Sequence, residues 1–492
     1  MKTVLIVGTG LGGLCAALRL AKQGYRVVMV EKFQQAGGRL NQLRKEGFTF
    51  DLAPTFFSMT YEFRELMETC KMITPFEFVE LDPLYTVNFA GSTRRFQIYK
   101  DIGRLAGEFD GIEPDFARKM RSFLQSSGKL FHDVEDRIIR RNFDSKLDYI
   151  MQMSKVPWGH GPKMLRTVWS ELDRYFDSRE VKEIFSLVAF FLGATPFDTP
   201  AVYTILSYTE LVHDGYHSVR GGMYKIVESL LNELEKEGVG IHYNTEITDY
   251  IEEKGRLCAF TDQKGNRYSA DHYVINAEAP WFRGKIFKRP EYSPRRLDLM
   301  KWTLAPFTIY LGVKGKIGTL DHHNYFLGNN FKEYAGKVFK NEISLKKPYY
   351  YVNVNSKFNP GSAPQGCENI FILCPVPDLR YKPDWSDREE LAGNIIHDLS
   401  ERIGYDLSSN IITQTIYDPV QWEKMFNLYR GSGLGLAHNL GQMGAFRPAN
   451  QDEKYDNVFY VGASTIPGTG LPMVVISSRL VTERILRHDR GL

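Results

Sequence analysis

The chain has 492 residues, too many for a single ordinary core, so several domains or one heavily elaborated domain are expected. Apolar residues make up 43%, enough for a large interior, and 62 basic against 59 acidic residues leave a net charge of +3. That balance, with no long basic tail, gives no reason to expect a nucleic-acid partner. The five scattered cysteines (Cys15, Cys70, Cys258, Cys367 and Cys374) form no CxxC pair. They argue against a disulfide framework or a metal site and for a reducing cytoplasm. No apolar run reaches the ~18 residues of a membrane span. The longest, Ile184 to Ala194, reads as a core helix or as the lining of an apolar cavity. The apolar start after Lys2 is broken by glycines and followed by Arg19 and Lys22, so it does not read as a signal peptide.

In chain order, Val4 to Val7 reads as a strand buried on both faces. Gly8-Thr9-Gly10-Leu11-Gly12-Gly13 follows, with Gly8, Gly10 and Gly13 filling GxGxxG. A helical pattern runs through Leu14, Ala17, Leu18 and Ala21 to a terminating Gly24, and Tyr25 to Val30 reads as a second strand ending at Glu31. Gly8 permits the tight turn, Gly10 lets backbone approach a pyrophosphate, and Gly13 lets the helix sit close on the strand. The helix start at Leu11 and Gly12 offers free N–H groups to phosphate. Glu31, with Lys32 beside it, can accept hydrogen bonds from a ribose diol. A glycine-rich turn alone is weak evidence. Strand, turn, helix, second strand and terminal acid together predict a dinucleotide site.

Ala36-Gly37-Gly38-Arg39 comes next and is similar to the GGR segment of amine-oxidase-type flavoproteins, where Gly38 and Arg39 would approach the pyrophosphate of FAD. With Glu31 it favours FAD over a nicotinamide. Pro54, Thr55 and Phe56 mark a tight passage beside a flat ring. In the middle of the chain, Arg220-Gly221-Gly222-Met223 precedes a helical pattern at Ile226, Leu230, Leu231 and Leu234. Strands follow at Ile241 to Ile247 and Asp271 to Ala277, bringing Ile247 and Asn276 toward the cofactor. Thr308 to Val313 and Asn369 to Leu373 read as strands of a sheet roofing a substrate channel. Near the C-terminus, a strand at Asn457 to Val461 leads through Gly462-Ala463-Ser464 into a helix entered at Thr469 to Met473. FAD is long. The first turn would hold its adenosine and pyrophosphate, and Gly462, Ala463, Leu471, Pro472 and Met473 would meet the flavin end. The expected fold is α/β. It has a discontinuous Rossmann-like FAD-binding domain (residues 1–85, 215–285 and 455–492), a helical cap or membrane-facing region (86–214) and a mixed-sheet substrate domain (286–454).

Taken together, these blocks resemble the bacterial carotenoid (phytoene) desaturases, within the amine-oxidase-like flavoproteins, over essentially the whole chain. Val461 to Met473 is the most specific. Asn427 to Ser432, Phe446-Arg447-Pro448, Arg220 to Met223 and Phe50 to Thr55 fit as well. Two segments depart from the family pattern. Ala53-Pro54-Thr55-Phe56-Phe57 stands where Gly-Pro-Thr and small aliphatics are frequent, and Ile466 stands where His is frequent. The bulky Phe56-Phe57 pair is more similar to desaturases of hydroxylated acyclic carotenoid ends. The resemblance therefore implies C-3,4 desaturation of a 1-hydroxycarotenoid, with phytoene desaturation as the alternative. Oxygen or a membrane quinone would take the electrons. No catalytic base stands out. Glu210, His213, Asp214, Tyr216 and His217 are candidates for a proton acceptor or a contact to a substrate hydroxyl, against the plainer reading of a solvated turn.

A forty-carbon polyene stays in the bilayer, since each buried CH₂ contributes about 0.8 kcal/mol. Such an enzyme is expected in the cytoplasm, peripherally bound to the inner face of the membrane. Phe116, Met120, Phe123 and Leu124 fall on one helical face, with Arg118, Lys119 and Arg121 available to anionic headgroups. Arg137, Arg140 and Arg141 form a second basic cluster; ordinary surface helices are the alternative. Phe56, Phe57, Phe190 and Phe191 are candidates to line a polyene tunnel or to fill the core. Two rival readings share the scaffold. One is an amine or porphyrinogen oxidase. The other is a non-enzymatic prenyl- or lipid-binding protein similar to Rab escort and GDP-dissociation-inhibitor proteins, against which the intact Gly8, Gly10, Gly13, Glu31 and C-terminal turn argue.

Overall fold

Val4 to Val7 is apolar at every position because both faces of its strand are covered. In the computed structural model, which describes residues 1–339 and 349–491, Thr3–Val7 is the middle strand of a five-stranded parallel sheet. The order across this sheet is Val458–Tyr460, His272–Ile275, Thr3–Val7, Arg26–Val30 and Gly240–His242. Val4 and Ile6 pack under the helices Leu11–Lys22, Lys225–Lys236 and Leu471–Asp489. Leu5 and Val7 pack on the other side, against the three antiparallel strands Ile247–Glu253, Arg256–Asp262 and Arg267–Ser269. Stretches hundreds of residues apart thus meet in one layer. Asp489 clasps the ends of the chain, accepting from Lys2 and Tyr25 at 2.6 Å each, with His272 Nε2 at 2.7 Å. His272, His488 and Asp489 are close enough together to hold a metal ion, but these protein donors already fill the Asp489 carboxylate.

The second sheet has seven strands. In order they are Ile411–Tyr417, Ala305–Lys314, Cys367–Val376, Tyr350–Asn353, His323–Leu327, Tyr85–Phe89 and Arg95–Ile98. The last two differ from the sequence expectation, which places residues 86–98 in the helical region. They belong to this sheet, with Tyr85–Phe89 running parallel to His323–Leu327. Period-two alternation sorts the strand residues. Ile309, Leu311, Val352, Ile370 and Ile372 pack under the helix Arg388–Ile403. Thr308, Tyr351, Phe371 and Leu373 face the opposite way and line a cavity.

The helical region corrects one expectation. Phe116, Met120, Phe123 and Leu124 do share a face of the helix Phe116–Val134, but all four are buried. Phe116 stacks on Phe109, with ring centroids 4.5 Å apart, and Phe123 meets Phe176 edge-on at 6.0 Å. Lys119 is drawn onto Glu113 and Asp177, and Arg140 onto Glu62 at 2.6 Å. Exposed apolar side chains lie instead in the next stretch: Leu147, Ile150, Met151, Trp158 (89% exposed) and Leu165 (87%). The run Ile184 to Ala194 breaks between two short helices, and Leu187, Phe190, Phe191 and Leu192 line the cavity. Among the described residues, no helix is long and apolar enough to cross a membrane.

Candidate active site

One cavity of about 1020 Å³ takes its lining from both sheets, the helical region and both glycine-rich ends of the chain. At one end lie Gly8, Gly10, Leu11 and Gly12. The helix Leu11–Lys22 has no side-chain cap and no acid in its first turn, so its leading N–H groups stay free for an anion. The glycines are there for clearance. A Cβ on Gly13 would sit 2.4 Å from the Gly8 carbonyl oxygen, and one on Gly10 would sit 2.7 Å from Asn276 Oδ1. Gly13 does not line the cavity; it lets the helix close on the strand. Gly37 N–H donates to Thr9 O at 2.9 Å, and a Cβ on Gly38 would lie 3.1 Å from Gly10 Cα, so the GGR segment crosses directly over the first turn. Glu31 is fixed at the wall by Thr9 N–H (2.8 Å), Thr9 Oγ1 (2.7 Å) and Phe33 N–H (3.1 Å). Lys32 and Ile247 complete this end.

The last turn meets the first through Asn276. Its Nδ2 donates to Val461 O at 2.9 Å, while its buried Oδ1 has no partner among the described residues. The helix Leu471–Asp489 likewise starts without a side-chain cap or an acid, behind Gly470 at φ 114°. Gly462, Ala463, Leu471, Pro472 and Met473 line the cavity beside it. Arg39 donates to Gly433 O at 2.8 Å. Arg447 of the Phe-Arg-Pro block is buried and donates to four carbonyls, those of Leu436, Ala437, Gln442 and Ala463. Burial pushes its guanidinium down to about 10. Glu278, not foreseen from sequence, lines the cavity and accepts from Ser464 Oγ. Burial raises its pKa, with Arg39 and Arg447 opposing. Two uncapped helix starts, glycine clearances, a fixed acid and an unpartnered acceptor on one cavity fit FAD. Every expected cofactor contact except Gly13 lies on its wall.

The middle of the cavity is aromatic. Pro54, Thr55 and Phe56 line it, and the Phe56 ring centroid is 4.7 Å from that of Tyr216, 4.8 Å from His323 and 5.7 Å from Phe191. The five catalytic candidates separate here. His213 is exposed. Asp214 caps the helix Thr60–Thr69, accepting from Thr60 N–H at 2.7 Å and Oγ1 at 2.9 Å. His217 is buried in the short strand His217–Val219 and does not line the cavity. Tyr216 does line it, and its hydroxyl donates to the buried Glu210 at 3.2 Å. Burial raises Glu210 to about 7, with the Tyr85 and Tyr216 hydroxyls opposing the shift. Sequence reasoning missed Tyr325, Tyr351 and His438, which also line the cavity. Strand alternation was the only sequence signal for the two tyrosines. His438 comes from a loop and accepts the Thr469 N–H at 3.2 Å, bracing the last turn.

The sequence pattern of the flavin-containing amine oxidoreductases matches residues 11–486. The chain belongs to that family. Among curated relatives of this amine oxidoreductase-family protein, the zeta-carotene-forming phytoene desaturase of Myxococcus xanthus is 31% identical, covering all of the chain and 95% of the relative. The 4,4'-diapophytoene desaturase (4,4'-diapolycopene-forming) of a Methylomonas species is 29% identical, over 99% of the chain and 96% of the relative. These relatives place it with the carotenoid desaturases. In fold it is similar to an oxidoreductase from Methanosarcina mazei, with a TM-score of 0.65 at 15% identity, covering 98% of this chain and all of the other. The protein is an FAD-dependent oxidoreductase.

Proposed function

We propose that the protein desaturates an acyclic C40 carotenoid, removing a hydride and a proton from adjacent carbons, and that its substrate carries a 1-hydroxyl end oxidised at C-3,4. The observation that carries this reading is the continuity of one cavity, from the glycine-lined cradle past Phe56 to an apolar region lined by Leu187, Phe191 and Met164. FAD, when bound, supplies the hydride acceptor. The chain's own residues hold the polyene against it, exclude water, and face the developing allylic cation with the rings of Phe56, Phe191 and Tyr216. The bulk of Phe56 and the polar groups around it favour a hydroxylated end over phytoene. The test is co-expression with candidate acyclic precursors, followed by mass spectrometry of the extracted pigments. A product two hydrogens lighter from 1-hydroxylated precursors supports the reading, and an unchanged pool from every acyclic polyene overturns it.

The substrate would enter from the inner face of the membrane. Ile150 and Trp158 are both exposed and part of the cavity lining, and Lys146, Lys155 and Arg141 are exposed along the same stretch. An apolar rim flanked by cations suits an anionic lipid surface. Electrons would leave to oxygen or a membrane quinone.

A further inference from the structure

Around Phe56 the cavity wall holds hydrogen-bonding groups that a hydrocarbon cannot use. Thr55 Oγ1 lies 2.8 Å from the Tyr351 hydroxyl, which also meets His323 Nδ1. Asn353 Nδ2 lies 3.3 Å from the same His323 nitrogen. Tyr325 sits between the two groups, its ring centroid 5.0 Å from Tyr351, 5.2 Å from Tyr85 and 6.1 Å from Phe191. It lines the cavity, and its hydroxyl has no hydrogen-bond partner among the described residues. On the far side, the π-helical turn Thr209–His213 directs Glu210 inward, where it accepts from Tyr216. Its other oxygen is buried without a hydrogen-bond partner among the described residues.

The Tyr325–Tyr351–His323 side of this cluster carries no charge. Burial keeps His323 well below its ordinary value, and burial with neighbouring Tyr351 and Glu210 keeps Tyr325 well above its own. An anionic ligand would be desolvated here with no counter-ion, whereas one neutral oxygen could both donate and accept. We propose that Tyr325, Tyr351 and Tyr216 form a subsite for a hydroxyl on the reacting end of the polyene, with Glu210 as a positioning residue behind Tyr216. This rests on the carotenoid reading above and names the groups that would tell a hydroxylated end from a hydrocarbon one. An oxygen bound beside Phe56 also fixes which carbons reach the redox centre, since C-1 is only two bonds from C-3. A bare hydrocarbon end leaves Tyr325 unpartnered, which corresponds to about a tenfold loss of affinity.

The test uses the flavin-loaded protein and two acyclic polyenes that differ only in a 1-hydroxyl, each delivered from phosphatidylcholine vesicles. Equilibrium binding is read first, turnover separately. Wild type is expected to bind the hydroxylated polyene about tenfold more tightly. In Tyr325→Phe and Tyr351→Phe that ratio should collapse toward one, with flavin content and melting temperature close to wild type. Equal binding of both polyenes by wild type overturns the inference, whether or not either is desaturated. A preference that survives both variants also overturns it. A preference lost in the variants, with no desaturation of either polyene, supports the subsite and sinks the desaturase reading instead.

Discussion

The two ends of the cavity recognise their ligands by different means. At the cofactor end the contacts are backbone N–H groups and clearances, and the side chains that matter are mostly those that are missing. A Cβ on Gly13 or Gly10 would meet an atom within 2.7 Å. At the substrate end the contacts are the side chains of Thr55, Phe56, Phe191, Tyr216, Tyr325 and Tyr351, delivered by five separate segments. Backbone recognition needs consecutive residues and leaves a local pattern. Side-chain recognition needs only that strands and turns converge.

The sharpest way to break this contrast is at Gly13. Its Cβ would press on a backbone oxygen at 2.4 Å, which cannot swing aside. Gly13→Ala should shift the first helix off its strand and reduce flavin occupancy below about a tenth of wild type. Absorbance of the purified protein measures this. Gly24→Ala is the control. Gly24, unlike the helical Gly13, has positive φ (84°), but among the described residues its Cβ would meet nothing within 4 Å, so this variant should lose some stability and keep its flavin. Equal flavin loss in both would mean that a general loss of stability, and not clearance at Gly13, empties the cradle. Phe56→Ala should behave in the opposite way. With its ring between Tyr216, His323 and Phe191, its loss should lower kcat/KM by about a hundredfold while the flavin spectrum is retained. Flavin loss here would place Phe56 in the cofactor cradle.

The same distinction sets what could be read from the sequence. The first strand, turn, helix and acid, and the last turn, were legible because each is continuous in the chain. So were the strands Thr308 to Val313 and Asn369 to Leu373, which fall within Ala305–Lys314 and Cys367–Val376. Residues 86–98 were not, because Tyr85–Phe89 pairs with His323–Leu327, more than two hundred residues away. Tyr325 and Tyr351 looked like ordinary strand aromatics, since nothing local marks a tyrosine whose hydroxyl faces a cavity.

The amphipathic segments teach a related lesson. The helix Phe116–Val134 carries apolar residues beside lysines and arginines, and the stretch Lys146 to Leu165 carries them beside lysines. In the first, the apolar face meets Phe109 and Phe176; in the second, Trp158 and Leu165 stand free. Periodicity tells that a face is apolar but not what covers it. Trp158→Glu with Leu165→Glu should weaken co-sedimentation with anionic vesicles by about tenfold. Arg118→Glu, at an exposed site on the first helix, should change it far less. A larger effect from Arg118→Glu would return membrane docking to the first helix.

The smallest expected effect tests whether the substrate end is as dry as its geometry implies. Glu210 is buried behind Tyr216, and burial lifts it from 4.5 to about 7 in the folded protein. The folded state therefore holds this proton more tightly than the unfolded chain does. Its contribution to stability is complete below about pH 4.5 and is lost as pH rises toward 7. Glu210→Gln has no proton to lose at this position and keeps an oxygen to accept from Tyr216. Asp51 and Glu183, also raised to about 7 by burial, remain in both proteins and cancel in the comparison. The melting temperature of the variant relative to wild type should therefore rise between pH 5 and 8, by about 2 °C. A difference that stays flat across this range would mean that water reaches the Glu210 carboxylate, and that the hydroxyl-bearing end of the cavity is open rather than sealed.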